Sequence, residues 1–447
     1  MNLFTYRLLT YLALPLVAYQ GWKRCKKQNT MPHCFRARFG FNPQNFQKGG
    51  IWIHAVSVGE TRSIFPLLTQ LKQSYPKLPL TVTNGSTQGA LQALQFSPVE
   101  IQHQMIPYDY PFAINRFLNQ LQPKLVIMVE TEIWPNLYQA CFERNIPIIL
   151  INARLKESSF LTYQKWGGKI IQKALNQTQF IATQFPIDSQ YFQKLGAQPN
   201  KIKTLGNLKF DLELPTNIEQ QAEQWKRRQH LTHRFIWVAA STHAHPKSKD
   251  RHQPSEEQLI LQAHQQLITA QASDSPAPLL ILAPRHADRF EEVAQQIEAS
   301  NLSFVKHSQK QPITAETHVY LADSMGELML WFASCHVAFI GGSLVPFGGH
   351  NILEAAALKK PVLSGPYYSN LQALFDTFAQ DHALTITPNP KALAKQLIQL
   401  MQSPKRQQDL GKKAYQSFQK HGGALPKLMQ AIQPFLDQPS DNPKEAL

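Results

Sequence analysis

Short apolar runs recur along this 447-residue chain, separated by polar, helix-compatible stretches, and they fall into two series. Ile51 to Val56, Leu80 to Thr83, Leu125 to Val129, Pro147 to Ile151 and Phe180 to Thr183 form the first. Phe235 to Ala239, Leu279 to Ala283, Ser303 to Val305, His318 to Leu321, Val337 to Ile340 and Pro361 to Leu363 form the second. Runs that are continuously apolar suit strands covered on both faces, and gaps wide enough for a crossover helix predict parallel pairing. The expectation is an α/β chain with two sheets, because the length exceeds what one core usually organises.

The stretch between the series, Leu212 to Arg234, carries Pro215 and a charged, Gln-rich helix candidate from Glu219, which places the linker near 209 to 218. The expected organisation is an N-terminal helix over 1–27, a first domain over 28–212, a second domain over 213–436 closing in terminal helices, and a flexible tail over 437–447. Within the second domain, His245 to Glu257 is polar and contains two prolines, so a surface loop is expected there. Two Rossmann-like domains would present a cleft to the carboxyl ends of both sheets, where open α/β sheets bind ligands.

Charge restricts the partners. The net charge is +15, and no acidic residue precedes Glu60, whereas Arg7, Lys23, Arg24, Lys26, Lys27, Arg36, Arg38 and Lys48 do. Residues 3 to 19 ahead of the densest cluster are apolar and aromatic with one charge, Arg7, and lack a small-residue cleavage site. They are short and polar for a span, since a crossing helix needs about 20 apolar residues. An uncleaved anchor or an interfacial helix against an anionic leaflet fits better, with Trp22 and the lysines at headgroup level. No nucleic-acid-binding motif accompanies the charge. Cys25, Cys34, Cys141 and Cys335 make no C-x-x-C pair, so neither a disulfide framework nor a cysteine metal site is expected.

Chemistry-bearing residues cluster after the strands. Ser57-Val58-Gly59-Glu60 follows the first strand, and Glu60 has two readings: a dipole-favoured residue at a helix start, or a general base on a rigid edge. Glu130-Thr131-Glu132-Ile133-Trp134-Pro135-Asn136 follows another and suits acceptor hydroxyls, or support of the Glu60 loop, better than a metal. Asn84-Gly85-Ser86-Thr87 offers donors for phosphate or sugar oxygens. In the second half, Arg285 suits a bidentate phosphate contact, with His286 beside it. Gly341-Gly342-Ser343 and Gly348-Gly349-His350-Asn351 form turns whose amides can approach an anion. Glu354 suits ribose hydroxyls, and Gly326-Glu327 lies on a further strand exit. The glycine spacing matches neither a dinucleotide fingerprint nor a P-loop.

These motifs together resemble the Kdo (3-deoxy-D-manno-octulosonic acid) transferases of Gram-negative bacteria. The resemblance rests on HAVSVGETRS at 54 to 63, PYDYP at 107 to 111, ETEIWPN at 130 to 136, NARL at 152 to 155 and GNLKFD at 206 to 211. It continues through STH at 241 to 243, PRH at 284 to 286, DSMGEL at 323 to 328 and GGSLVPFGGHNILEAAA at 341 to 357. It implies the GT-B glycosyltransferase architecture and transfer of Kdo from CMP-Kdo to lipid IVA, a lipid A precursor, with inversion and without a cofactor or catalytic metal. It also implies work at the cytoplasmic face of the inner membrane, and leaves the number of Kdo units open. Carried over, it places the base at Glu60. CMP would lie among Arg285, His286, Gly326, Glu327, Asn351 and Glu354, and the donor phosphate or Kdo near Ser241, Thr242, Ser343, Lys209 and Gly342. Two departures stand out. Ile352 follows His350-Asn351 where relatives have proline, and the usual Ser-Thr-His-Glu-Gly-Glu-Glu run is interrupted after His243 until Glu256-Glu257. The interruption puts a substrate role for those two acids in doubt. The alternatives are another GT-B enzyme acting on a different lipid or peptidoglycan precursor, a nucleic-acid-binding protein, and a non-catalytic membrane adaptor.

Overall fold

A computed structural model of the chain describes residues 1–28, 33–41, 45–212, 214–246, 253–271 and 276–437. It divides into two compact units, Met1–Asp211 with Gly422–Leu447, and Leu212–His421.

The first unit is built on seven parallel strands: β1 Ile51–His54, β2 Leu80–Asn84, β3 Gln102–Met105, β4 Leu125–Val129, β5 Ile148–Ala153, β6 Phe180–Thr183 and β7 Ile202–Thr204. Their order in the sheet is β3-β2-β1-β4-β5-β6-β7. Ile51 of β1 lies level with Leu80 on one side and Leu125 on the other, so the apolar runs meet at the sheet centre. The sheet winds outward from β1 in one direction and restarts at β4 in the other, which makes the β1/β4 boundary its switch point. β3 and β7 were not expected. β3 reads Gln-His-Gln-Met, polar yet largely buried, and the pairing of His103 with the Asn84 side chain (2.9 Å) supplies what its composition lacks. β7 is a three-residue edge strand.

The second unit repeats the plan with β8 Ile236–Thr242, β9 Leu279–Pro284, β10 Phe304–Lys306, β11 Val319–Leu321, β12 Val337–Ile340, β13 Val362–Ser364 and β14 Thr385–Ile386. The order is β10-β11-β9-β8-β12-β13-β14, again parallel throughout, with the switch point at β8/β12. The short edge strand β14 was not expected either.

Three expectations need correction. First, the second domain does not close with all of the terminal helices. Helix Ala424–Leu436 returns to the first unit, where Leu425, Leu428, Ile432 and Leu436 pack with Ile51, Ile53, Leu67 and Leu71. Asp211 of the GNLKFD motif anchors that return by accepting from Gly423 N (2.5 Å) and Leu425 N (2.7 Å). A carboxylate at a helix N-terminus meets both orphan amides and the positive end of the dipole. Of the proposed tail, only Asp437 lies within the described residues. Second, the expected loop over 245–257 ends early. Helix Glu256–Thr269 begins inside it with both acids fully buried, and residues 247–252 lie outside the described residues. Third, Cys25 and Cys34 are joined in a disulfide, Cα to Cα 5.8 Å. Spacing alone does not reveal it, because the two cysteines belong to different helices, α1 (Leu3–Gln28) and α2 (Cys34–Ala37).

Helix α1 packs on the first unit. Tyr6 donates to Asp109 (3.0 Å), Arg7 to Asn136 (2.8 Å), and Tyr110 to the Thr10 carbonyl (3.1 Å). Phe4, Leu8, Leu12, Leu16, Tyr19 and Trp22 remain exposed. Among the described residues no helix is long and apolar enough to cross a membrane.

Candidate active site

The β1 and β4 exits at the first switch point bring three glutamates into one electrostatic neighbourhood. After β1, Ser57 caps the short helix α3 (Val58–Ser63), accepting from Glu60 N at 3.3 Å. The Glu60 carboxylate folds back over the same turn, accepting from Ser57 Oγ (2.7 Å) and Val56 N (2.7 Å). This is a reciprocal cap, so the helix-start reading of Glu60 holds as geometry. It does not exhaust the residue. Glu60 is half-buried, and open space surrounds the neighbouring Gly59. Burial, then the nearby Glu130, pushes the Glu60 carboxyl above its usual range, against the pull of Ser57, Val56 N–H and Lys209.

Glu130 leaves β4 with φ +63, a left-handed conformation uncommon for a residue with a side chain and a recurrent mark of functional turns. Its carboxylate pairs with Lys209 Nζ at 3.0 Å. Glu132 accepts from Trp134 Nε1 (2.6 Å), and burial pushes its carboxyl up to about 7, helped by the charges of Glu60 and Glu130. His54 packs edge-on against Trp134 (5.6 Å between rings), and burial drives its pKa down to about 3. It is therefore a neutral wall. Lys209, expected near the donor phosphate or Kdo, belongs to the first unit and pairs with Glu130 among these carboxylates. Asn84 and Ser86 are not offered to a ligand in the expected way. Asn84 Nδ2 donates to Ala55 O and Thr61 Oγ1, and Ser86 Oγ to Val56 O, so both brace the Glu60 turn.

In the second unit, the β8 and β9 exits place His243, Arg285 and His286 together. Arg285 N donates to Thr242 O (3.1 Å), and the His286 ring sits 5.1 Å from His243, edge-on. His243 stacks on Phe347 (3.6 Å) and meets His350 Nε2 to Nε2 at 2.6 Å. Burial drives their pKa values to about 4 and about 3, so one neutral ring donates and the other accepts. Asn351 Oδ1 accepts from Leu353 N (3.3 Å), and Glu354 occupies the first turn of Leu353–Ala357. Gly326, at φ +93, and Glu327 belong to a separate turn, where His307 Nε2 lies 3.0 Å from Glu327. Among the described residues no three His, Cys, Asp or Glu side chains are grouped so as to hold a metal ion.

The glycine turn after β12 differs from expectation. Glu256 takes up its amides: Gly342 N donates at 2.6 Å, Ser343 N at 2.8 Å and Leu344 N at 2.8 Å. Ser343 Oγ donates to Ile340 O (2.6 Å) and accepts from Gly365 N (2.8 Å), with the side chain wholly buried. Gly342 and Ser343 are thus committed internally. Ser241, at φ +58, and Thr242 are also buried, and the Thr242 hydroxyl has no hydrogen-bond partner among the described residues. Of the second-unit candidates, Arg285, His286, Gly326, Glu327, Asn351 and Glu354 are not fully buried. Glu256 was missed because its role is made across the sheet; the local signal, a capping box from Ser255 to Gln258, marks only the helix start.

Residues 33–212 match the model of the 3-deoxy-D-manno-octulosonic-acid transferases, and 297–417 that of the glycosyl transferases group 1. The chain is similar to the 3-deoxy-D-manno-octulosonic acid transferase of Haemophilus influenzae, 36% identical over 90% of this chain and 91% of that protein. The Bordetella pertussis transferase of the same description is 30% identical over 94% of this chain and 96% of its own. The UDP-GlcNAc 2-epimerase of Neisseria meningitidis, at 14% identity and a TM-score of 0.56 over 86% of this chain and 100% of that one, shares the two-domain α/β fold. With the motifs matched over nearly its full length, the chain belongs to the 3-deoxy-D-manno-octulosonic acid transferase family.

Proposed function

We propose that the chain transfers Kdo from CMP-Kdo to the 6'-hydroxyl of the distal glucosamine of lipid IVA, with inversion, and that Glu60 is the general base. The observation that carries the assignment is the Glu60 carboxylate itself, fixed by Ser57 and Val56 yet raised in pKa beside Glu130. A base works best when its pKa lies nearer the operating pH than that of a free carboxylate. The carboxylate takes the hydroxyl proton as the oxygen bonds to the anomeric carbon, and the bond from that carbon to the CMP phosphate oxygen breaks with its electron pair on phosphate. Arg285 and His286 supply donors for the phosphate charge, and Asn351 and Glu354 suit the nucleoside. In this reading the first unit takes the lipid and the second the nucleotide sugar. Incubation with CMP-Kdo and lipid IVA, read by mass, should show the acceptor gaining Kdo and counts how many; folded enzyme that adds none overturns the proposal.

The membrane part of the proposal rests on α1. Its exposed apolar residues and the adjoining Lys23, Arg24 and Lys26 suit the surface of an anionic bilayer at the cytoplasmic face of the inner membrane. Leu12→Ser with Leu16→Ser removes outward-facing apolar area without touching the Tyr6 or Arg7 contacts. Sedimentation with anionic vesicles should fall about tenfold at the usual value of apolar burial; undiminished sedimentation counts against α1 as the contact.

A further inference from the structure

Glu256 occupies the second switch point, where an open α/β sheet ordinarily leaves its ligand crevice. It is completely buried, and four backbone amides converge on its carboxylate: those of Gly342, Ser343 and Leu344 after β12, and that of His243 after β8 at 3.2 Å. Its own amide returns a bond to His243 O (3.1 Å). Although the family's acidic run is interrupted in sequence after His243, Glu256 still reaches the strand exits.

Burying a carboxylate is expensive unless it is fully hydrogen-bonded, so its local alternatives matter. Glu256 is not needed to start its helix, because Ser255 and Gln258 already form a capping box. Among the described residues it is not half of an ion pair, and Arg289 is engaged by Glu257 at 2.7 and 3.1 Å. Its hydrogen-bonding capacity goes to the turn and to His243. The glycines match that use. A Cβ at Gly341 would lie 2.9 Å from Glu256 Oε2, and one at Gly342, where φ is +67, would lie 2.9 Å from His350 Cδ2. Gly342 O in turn accepts from Gly348 N (3.2 Å) and Gly349 N (2.8 Å), closing the loop that ends in His350 and Asn351.

We infer that Glu256 is a positioning residue for the sugar-nucleotide donor: it clamps the β8 and β12 exits and so sets the Gly342–Gly349 loop that presents His350 and Asn351. The inference rests on reading that loop as the donor side of the reaction. The test is steady-state kinetics of the full chain with donor and acceptor varied separately. Glu256→Gln keeps the volume but turns an amide N–H towards backbone N–H groups, and should raise the donor KM about tenfold or more while sparing the acceptor KM. Glu257→Gln, at the neighbouring position, removes one of the two carboxylates that pair with Arg289 and leaves Glu292, and should cost stability without that selectivity. Gly342→Ala perturbs the loop from its other side, should reproduce the donor-selective rise, and carries the test if Glu256→Gln does not fold. Equal effects of the two glutamine variants on both substrates, or an unchanged donor KM in Gly342→Ala, overturn the inference. Asn351→Ala separates the two readings. If it leaves the donor KM unchanged while Glu256→Gln raises it, the donor assignment of Asn351 fails and the clamp stands.

Discussion

Glu60 and Glu256 are the same device placed in two environments. Each lies in the first turn of a helix at a sheet switch point, and each carboxylate is gripped by backbone amides. Around Glu60 the grip is partial: one amide, one hydroxyl, two further glutamates nearby and a single lysine. Around Glu256 it is complete: four amides and no surface. The under-satisfied carboxylate retains acceptor capacity, which the proposed base needs; raised proton affinity does not separate the two, because burial pushes Glu256 up as well, to about 7. The saturated one has nothing to offer a substrate and acts through the loop it holds. Hydrogen-bond satisfaction, more than the residue type or its place on the helix, separates the proposed base from the proposed clamp.

The largest effect that sharpens this contrast is expected at Glu60. Glu60→Gln should keep the cap, because the amide oxygen still accepts, yet lower kcat by about 10²–10⁴-fold with CMP binding intact. Turnover near normal would place the base elsewhere. A second effect is one of pH. If Glu60 is the base, as proposed, it must be ionised to act, and with its pKa raised the acid limb of kcat/KM should lie above the ordinary carboxylate range. Lys209 lowers that pKa and neutralises Glu130, which raises it, so Lys209→Met should move the limb further up in a pH–rate profile. A limb that stays put or moves down contradicts the coupling. The smallest effect concerns a third helix-start carboxylate. Asp211→Ala should cost about 1–2 kcal/mol, the usual value of an N-terminal cap, in chemical denaturation, and leave both KM values alone. A kinetic defect there would blur the line drawn between Glu60 and its structural counterparts.

Much of this was legible in the chain. Eleven apolar runs became strands in parallel sheets, and their ends carried the motif residues, because a two-face-buried strand and a polar exit leave a local signature. The strands without that signature, β3, β7 and β14, are short or polar edge strands stabilised by neighbours rather than by their own composition. Arg285, His286 and Asn351 lie on loops that follow strands, and Glu60 in the short helix that follows β1.

What the sequence by itself determined is therefore the α/β class, the two-unit organisation and the family. All of these follow from periodicity or from motifs read locally. Only the tertiary structure decided that Lys209 serves the Glu60 cluster, that Gly342 and Ser343 are spent on Glu256, that Asp211 ties the last helix back to the first unit, and that Cys25 meets Cys34. Each of these is a partnership between segments distant in sequence or on separate elements. Which donor meets which acceptor is fixed by strand order and chain return, and a buried polar group takes whatever partner the fold brings to it.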